Sequence, residues 1–265
     1  MPSVSNIAVG ALVAGAASAK ARHGMNESIA RLSTGMRSIY GGDAAGQSVA
    51  NTLEARSKSW AVCARNAEDG ISALLTAEAA LNEIAQLAVR LRELGIQADN
   101  AALLSDTVDE VALNTEAIAI YDTIDNIVSE TKFNEISLLA TSANTLSIGS
   151  SVDGTNNNSI VTTAAIAAVN TNTVAAGADA TADAILEDVA LSLGNVAAGI
   201  SSMKARQSVS YASAANLEAA ASRIVDTDFA KETASLTKAS VLNQSAMAMV
   251  AQANQAQSAI LAVLQ

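Results

Sequence analysis

From Thr233 to Gln265 the chain carries one charged residue, Lys238, and neither Gly nor Pro. Ala, Leu, Val, Ile and Met alternate there with Ser, Thr, Asn and Gln. Such a stretch predicts a helix, and 33 residues in one helix span about 50 Å. It has too little charge to face solvent on all sides and too many amides and hydroxyls to cross a bilayer. It must be buried against other helices, most simply those of other copies of the same chain, which points to assembly rather than catalysis.

Composition supports long helices over a thick globule. Two Phe, three Tyr and one Trp leave the interior to Ala, Leu, Ile and Val, although aromatics normally supply much of a core's buried area. The only proline is Pro2, so no internal helix is broken from that cause. Charge is unevenly spread. Residues 1–40 sum to +3 and residues 233–265 to +1, which leaves −15 of the total −11 on residues 41–232. An acidic middle argues against nucleic-acid or anionic-membrane partners. Cys63 and His23 are single, so neither an intrachain disulfide nor a thiolate or His-based metal cluster is available, and no cofactor is implied. Ile7–Ala19 has the look of a signal-peptide apolar region, but no Lys or Arg precedes it, so cleavage is not expected.

Ser3–Ile39 predicts helix, with apolar spacing at Ile29, Leu32, Met36 and Ile39, and Gly41-Gly42-Asp43 predicts a break. The clearest periodic signal follows. Steps of three and four from Trp60 give Cys63, Ala67, Gly70, Leu74, Ala77, Leu81, Ile84, Ala88 and Leu91. An uncharged seam of that length predicts coiled-coil-like packing, with Trp60, Cys63, Leu74, Leu81, Ile84 and Leu91 as its rod-packing residues and Cys63 as a buried structural thiol. Gly95 and Asp99-Asn100 predict a turn. A third helix is expected at about Leu104–Thr131, with Leu104, Val108, Val111, Ile118, Ile124, Ile127 and Val128 inward and a solvated acidic face of Asp106, Asp109, Glu110, Glu116, Asp122 and Asp125. Thr145–Ser151 and Ser159–Thr163 predict a β-hairpin around Asp153–Asn158. Helix returns at about Ala180–Ile224. No phosphate loop, zinc motif or nucleophile elbow is present, so the expectation is a non-enzyme of mainly α class, built from long antiparallel rods with one small hairpin.

Several motifs carry a specific resemblance. Ile29–Ala50 reads IARLSTGMRSIYGGDAAGQSVA and Asn216–Gln255 reads NLEAAASRIVDTDFAKETASLTKASVLNQSAMAMVAQANQ. With Arg65–Ser72 (RNAEDGIS), Glu78–Ile84 (EAALNEI), Arg92–Gln97 (RELGIQ) and Thr131–Leu139 (TKFNEISLL), the chain resembles bacterial flagellin. Gly42-Asp43 stands where that family often has two acidic residues. The resemblance implies a short flagellin without outer domains: an N-terminal inner-core helix at 1–42, a rod domain at 43–180, a returning rod helix at 181–228 and a C-terminal inner-core helix at 229–265. It implies a secreted subunit of the extracellular flagellar filament serving swimming motility. Core assembly would fall to Ile29, Leu32, Leu236, Val250, Ile260 and Leu264. Implied partners are the chain itself, the flagellar export apparatus and an export chaperone, and the hook-associated and cap proteins. The family's receptor patch for Toll-like receptor 5 would map to Arg90, Leu94, Gln97 and Glu116. The neighbouring alternative is the hook–filament junction protein, which has similar ends.

Overall fold

Long runs of Ala and Leu free of proline leave glycine and capping residues to decide where helices stop. The computed structural model describes residues 3–37, 42–100, 108–140, 143–152, 157–163 and 175–264. Within them the order is α1 (Ser3–Thr34), α2 (Ala44–Ala98), α3 (Asp109–Glu130), β1 (Lys132–Phe133), β2 (Ile136–Ser137), β3 (Asn144–Gly149), β4 (Asn157–Thr163), α4 (Ala178–Val225) and α5 (Phe229–Leu264). Two units result: Met1–Ala55 with Leu217–Gln265, and Arg56–Asn216.

In the first unit α1 ends sooner than its apolar spacing suggested. Gly35 takes a left-handed φ of 71°, and its N–H donates to Arg31 O at 2.8 Å, a glycine C-cap of the usual kind. Met36 therefore lies outside the helix, and Ile39 lies outside the described residues. α2 starts on a side-chain cap: Asp43 Oδ1 accepts from the Gly46 N–H at 2.8 Å. Gly46 is needed there, since a Cβ would overlap the Asp43 carboxylate. Arg37 Nη2 reaches Asp43 Oδ2 at 2.6 Å. The Gly46 N–H and then the Arg37 guanidinium hold the Asp43 carboxyl below its ordinary value.

α1 and α5 pair antiparallel. Ser18 Oγ donates to Asn243 Oδ1 at 2.9 Å, and Arg31 faces Glu232 at 3.6 Å, so position rises on one helix as it falls on the other. The chain breaks after α1 and after α4 are pinned together. Arg37 N donates to Val225 O at 2.7 Å and Thr227 N to Gly35 O at 2.9 Å, around an antiparallel bridge between Met36 and Asp226.

The second unit has a continuous apolar core of α2, α3, the hairpins and α4. On the α2 seam Cys63, Ala67, Gly70, Leu74, Ala77, Leu81, Ile84, Ala88 and Leu91 are all buried and Trp60 is half-buried, as an uncharged period of 3.5 requires. β3 and β4 pair antiparallel with Leu146 opposite Ile160 and Ile148 opposite Asn158; the tip residues 153–156 lie outside the described ones. Glycines seat this hairpin. A Cβ on Gly70 of α2 would overlap Ile148 Cδ1, and one on Gly199 of α4 would meet Ile160 Cγ2 and, at 3.1 Å, Leu74 Cδ1.

Two expectations change, and two further features had no counterpart in the sequence reading. α2 runs through Gly95, which is no turn; it is small because the backbone of Asp179 lies against it. The inward face of α3 is Ala117, Ile120, Tyr121, Ile124 and Val128, whereas Val108, Val111 and Ile118 are exposed. The 3.6-residue period carries 117 to 120, 121, 124 and 128 on one stripe, and Val111 and Ile118 fall off it. Leu104 and Asp106 lie outside the described residues. Lys132–Ser137 forms a further antiparallel hairpin that two-residue strands could not announce. Its turn places Asn134 and Glu135 at φ 49° and 66°, as a type I′ turn needs, and it tucks Leu138 and Leu139 into the core. Finally, the α4 run Val189–Met203 is uncharged, and among the described helices α4 is long and apolar enough in composition to span a bilayer. Its Ile185, Val189, Val196 and Met203 are instead buried in the core of the second unit.

Candidate assembly surfaces

The α1–α5 pair inverts the usual arrangement. Its buried positions are small: Ser18, Ala21 and Ser28 on α1 and Ala246 on α5. Small side chains let helix axes approach closely, since the contact residues set the interaxial distance, and Ser18 satisfies its hydroxyl on Asn243. The large apolar side chains point away. Leu12 is 75% exposed, Val13 64%, Met249 63%, Met247 59% and Val241 55%. Each such side chain gains about 1.5–3 kcal/mol when fully buried, and large apolar side chains left exposed in number on one helix pair mark an interaction surface. The surface is that of a subunit, not of a finished molecule.

Among the residues expected to carry core assembly, Leu32, Leu236 and Val250 are half-buried in this pair. Ile29 is 48% exposed, so it is available to a contact outside the chain. The side chains of Ile260 and Leu264 lie outside the described residues. Periodicity missed the small seam, because Ser18, Ala21, Ser28 and Ala246 carry no large apolar signal; the deficit of charge was the only trace.

In the second unit, polar side chains lock the helices and hairpin together. Asn66 Nδ2 donates to Gly149 O at 2.9 Å, Arg206 Nη1 to Ser150 Oγ at 2.9 Å and Ser57 Oγ to Ala214 O at 2.9 Å. Glu68 Oε1 accepts from Gln207 Nε2 at 2.7 Å and from Tyr211 OH at 2.8 Å. That carboxylate contact is the main reason the Tyr211 phenol is raised. Burial pushes the Cys63 thiol up, which suits a packing residue rather than a nucleophile.

The four patch residues separate. Arg90 Nη2 contacts Glu116 Oε1 at 2.7 Å and Arg90 Nη1 contacts Glu93 Oε2 at 2.9 Å; Glu116 first and then Glu93 raise the guanidinium's already high value. Gln97 and Glu116 line a shared groove of about 580 Å³ with Ile96 and Leu113. Leu94, by contrast, is 0% exposed and sits in the core, so a partner reading this surface meets Arg90, Gln97 and Glu116 without it. Asp109, Glu110, Glu116, Asp122 and Asp125 stand exposed along α3, and among the described residues no His, Cys, Asp and Glu group is arranged to hold a metal ion.

Comparison with known proteins matches both halves of the chain. Residues 6–144 match the bacterial flagellin N-terminal helical region and residues 181–264 the bacterial flagellin C-terminal helical region. A flagellin of Halalkalibacterium halodurans is 34% identical over 248 residues, covering 88% of this chain and 89% of that one. A flagellin of Bacillus subtilis is 32% identical over 275 residues, covering 88% and 90%. The flagellin FlaB2 of Treponema pallidum is 29% identical over 265 residues, covering 91% and 92%. The crystal structure of Bacillus cereus flagellin is also similar, at 25% identity and a TM-score of 0.38 over 58% of this chain and 88% of that one. Nothing in these matches favours the hook–filament junction protein. With matched regions at both ends and relatives matched over nearly their whole length, the chain belongs to the bacterial flagellins, the structural subunits that polymerise into the flagellar filament.

Proposed function

We propose that the exposed apolar side chains of α1 and α5 are the surface by which one copy packs into its neighbours in the filament core. The observation that carries this is the inverted pair: small residues inside the seam, Leu12, Val13, Met247 and Met249 outside. A helix pair that leaves its large apolar groups in water gains its stability only on association. The same two helices are therefore expected to be disordered in the free monomer and to order on assembly. Unfolded ends also suit passage through a narrow channel, and we infer that the chain leaves the cell unfolded through the flagellar export apparatus, handed over by an export chaperone. Hook-associated and cap proteins, with their flagellin-like or flagellin-binding surfaces, are its partners at the two ends of the filament, outside the cell. Toll-like receptor 5 is a further proposed partner, through Arg90, Gln97 and Glu116.

Electron micrographs of purified chain left to polymerise test the central reading. Long filaments are expected. Rings or short stacks that stop growing would move the chain to the junction role, and a persistent monomer at high concentration would overturn the filament role.

A further inference from the structure

The methionines among the described residues stand in different surroundings. Met203 of α4 has no exposed surface, and Met25 of α1 is half-buried. Met36 is partly exposed in the bridge to Asp226. Met247 and Met249 of α5 are the most exposed of these, and the geometry of that helix explains why. Its side toward α1 runs in steps of three and four through Leu236, Ala239, Asn243, Ala246, Val250 and Ala253, all buried or half-buried. Met247 follows one of these seam residues and Met249 precedes the next, so the two fall about 80° to either side of the seam's midline. Each flank of the helix therefore carries one thioether. Met249 shares its flank with Leu242, seven residues back and also exposed, in an apolar row about 10 Å long. A neighbouring copy that covers α5 from either side buries a methionine.

A thioether packs as a flexible apolar group. Its sulfoxide is polar and chiral, and it disrupts the apolar contacts that the thioether made. Covered by an apolar surface, the new oxygen loses its water without gaining a donor. We propose that Met247 and Met249 are oxidation sites at which a small hydroperoxide, hydrogen peroxide being the simplest, takes the free chain out of assembly. The proposal rests on the outer face of α5 being an assembly surface and adds its regulation. The thioether sulfur attacks one peroxide oxygen, and the O–O bond breaks as the S–O bond forms. The departing hydroxide takes the proton of the transferred OH and leaves as water. Sulfur is oxidised by two electrons and the peroxide is reduced by the same two. Methionine sulfoxide reductases reverse the change, one enzyme for each sulfoxide epimer, with the oxygen leaving as water while a dithiol becomes a disulfide. Subunits already in a filament are shielded, so the modification acts before incorporation.

The test treats the purified full chain with hydrogen peroxide, locates the sulfoxides by peptide mass spectrometry and measures the critical concentration for polymerisation by sedimentation. Met247 and Met249 are expected to oxidise about tenfold or more faster than Met203, which must wait for its unit to open. The critical concentration is expected to rise about tenfold or more, the loss of at least one buried apolar side chain's contribution. Both reductases with dithiothreitol are expected to restore it. Met247→Leu with Met249→Leu keeps the volume and removes the sulfur. That variant is expected to assemble like wild type with or without peroxide, which sets the effect apart from Met25, Met36 and Cys63. Met247→Gln with Met249→Gln makes the face polar without peroxide and is expected to raise the critical concentration. Both positions are exposed in the single chain, so neither pair of substitutions disturbs its fold. A Gln variant that assembles like wild type sinks the assembly role of this face, and the oxidation site with it. A Gln variant that is impaired while peroxide leaves wild type unaffected, or a Leu variant as peroxide-sensitive as wild type, overturns the oxidation site alone.

Discussion

Gly95, in the last turn of α2, lies so close to Asp179, in the first turn of α4, that a Cβ there would stand 3.0 Å from the Asp179 Cα and overlap its backbone N. The obstacle is main chain, which cannot rotate away. Gly95→Ala therefore sets about 0.5–1 kcal/mol of helix preference against an overpacking cost of about 1–3 kcal/mol, and the cost wins. A lower melting temperature is expected by circular dichroism of the full chain. Gly194→Ala is the matched control, since nothing lies within 4 Å of that position and α4 runs straight through it. There the helix gain stands alone, and a small rise in melting temperature is expected.

The same glycine marks the limit of what the sequence shows. A lone Gly followed by Asp99-Asn100 has the composition of a turn, and only the partner helix reveals that it is a contact. The α2 seam was legible because ten positions in steps of three and four carry no charge, and a rod buried on one side must look like that. On α3 several phases compete: Val111 and Ile118 are as apolar as Ile120 and Ile124, and packing against the second unit's core selects the stripe through Tyr121. The Lys132–Ser137 hairpin was invisible because Glu135, at φ 66°, is not a residue that prefers that conformation. At the assembly surface, lack of charge was readable, while the choice of small residues for the seam was not.

Leu81 lies on that seam with no exposed surface. Leu81→Ala removes its packing and leaves a cavity, at a cost of about 2–5 kcal/mol. For a unit of this size each kilocalorie lowers the melting temperature by about 2–4 °C. A fall of less than about 4 °C in thermal unfolding of the monomer would contradict the seam's place at the centre of the core.

Asp43 links acid sensitivity to the start of α2. Its carboxyl is held below the ordinary value by the Gly46 N–H and Arg37. A group depressed in the folded state stabilises above its unfolded value, and that contribution is lost as pH falls through the folded value. Asp43→Asn keeps a capping oxygen but loses the charge that pairs with Arg37. The variant is expected to melt lower than wild type at pH 7, with the gap closing below about pH 4. A gap that stays constant from pH 7 to pH 2 would show that the ion pair with Arg37 contributes nothing.

Arg90 is exposed and tied only to exposed carboxylates, so Arg90→Ala should leave thermal unfolding nearly unchanged, because surface pairs contribute little. If the surface of Arg90, Gln97 and Glu116 is what Toll-like receptor 5 reads, the same variant lowers the response of receptor-expressing cells about tenfold or more, in line with loss of a central Arg anchor. Leu94→Ala behaves oppositely: it destabilises the monomer, since that side chain is in the core. An Arg90→Ala monomer that signals as wild type removes the receptor from the partners proposed here.

Removing Ala246–Gln265 deletes Met247 and Met249, two of the most exposed apolar side chains on α5, but leaves Asn243 for Ser18 and Glu232 for Arg31. The residues Arg56–Asn216 are untouched, so cooperative unfolding of that unit should persist with an unchanged melting temperature. What is lost is the apolar surface that only a neighbouring copy can cover. The truncated chain is expected to stay soluble and to remain in the supernatant at concentrations where the full chain sediments as filaments. Should it form filaments at the full chain's critical concentration, the outer face of α5 beyond Ser245 has no part in assembly, and the burden passes to Val241 and to α1, where Leu12 and Val13 are exposed to a similar degree.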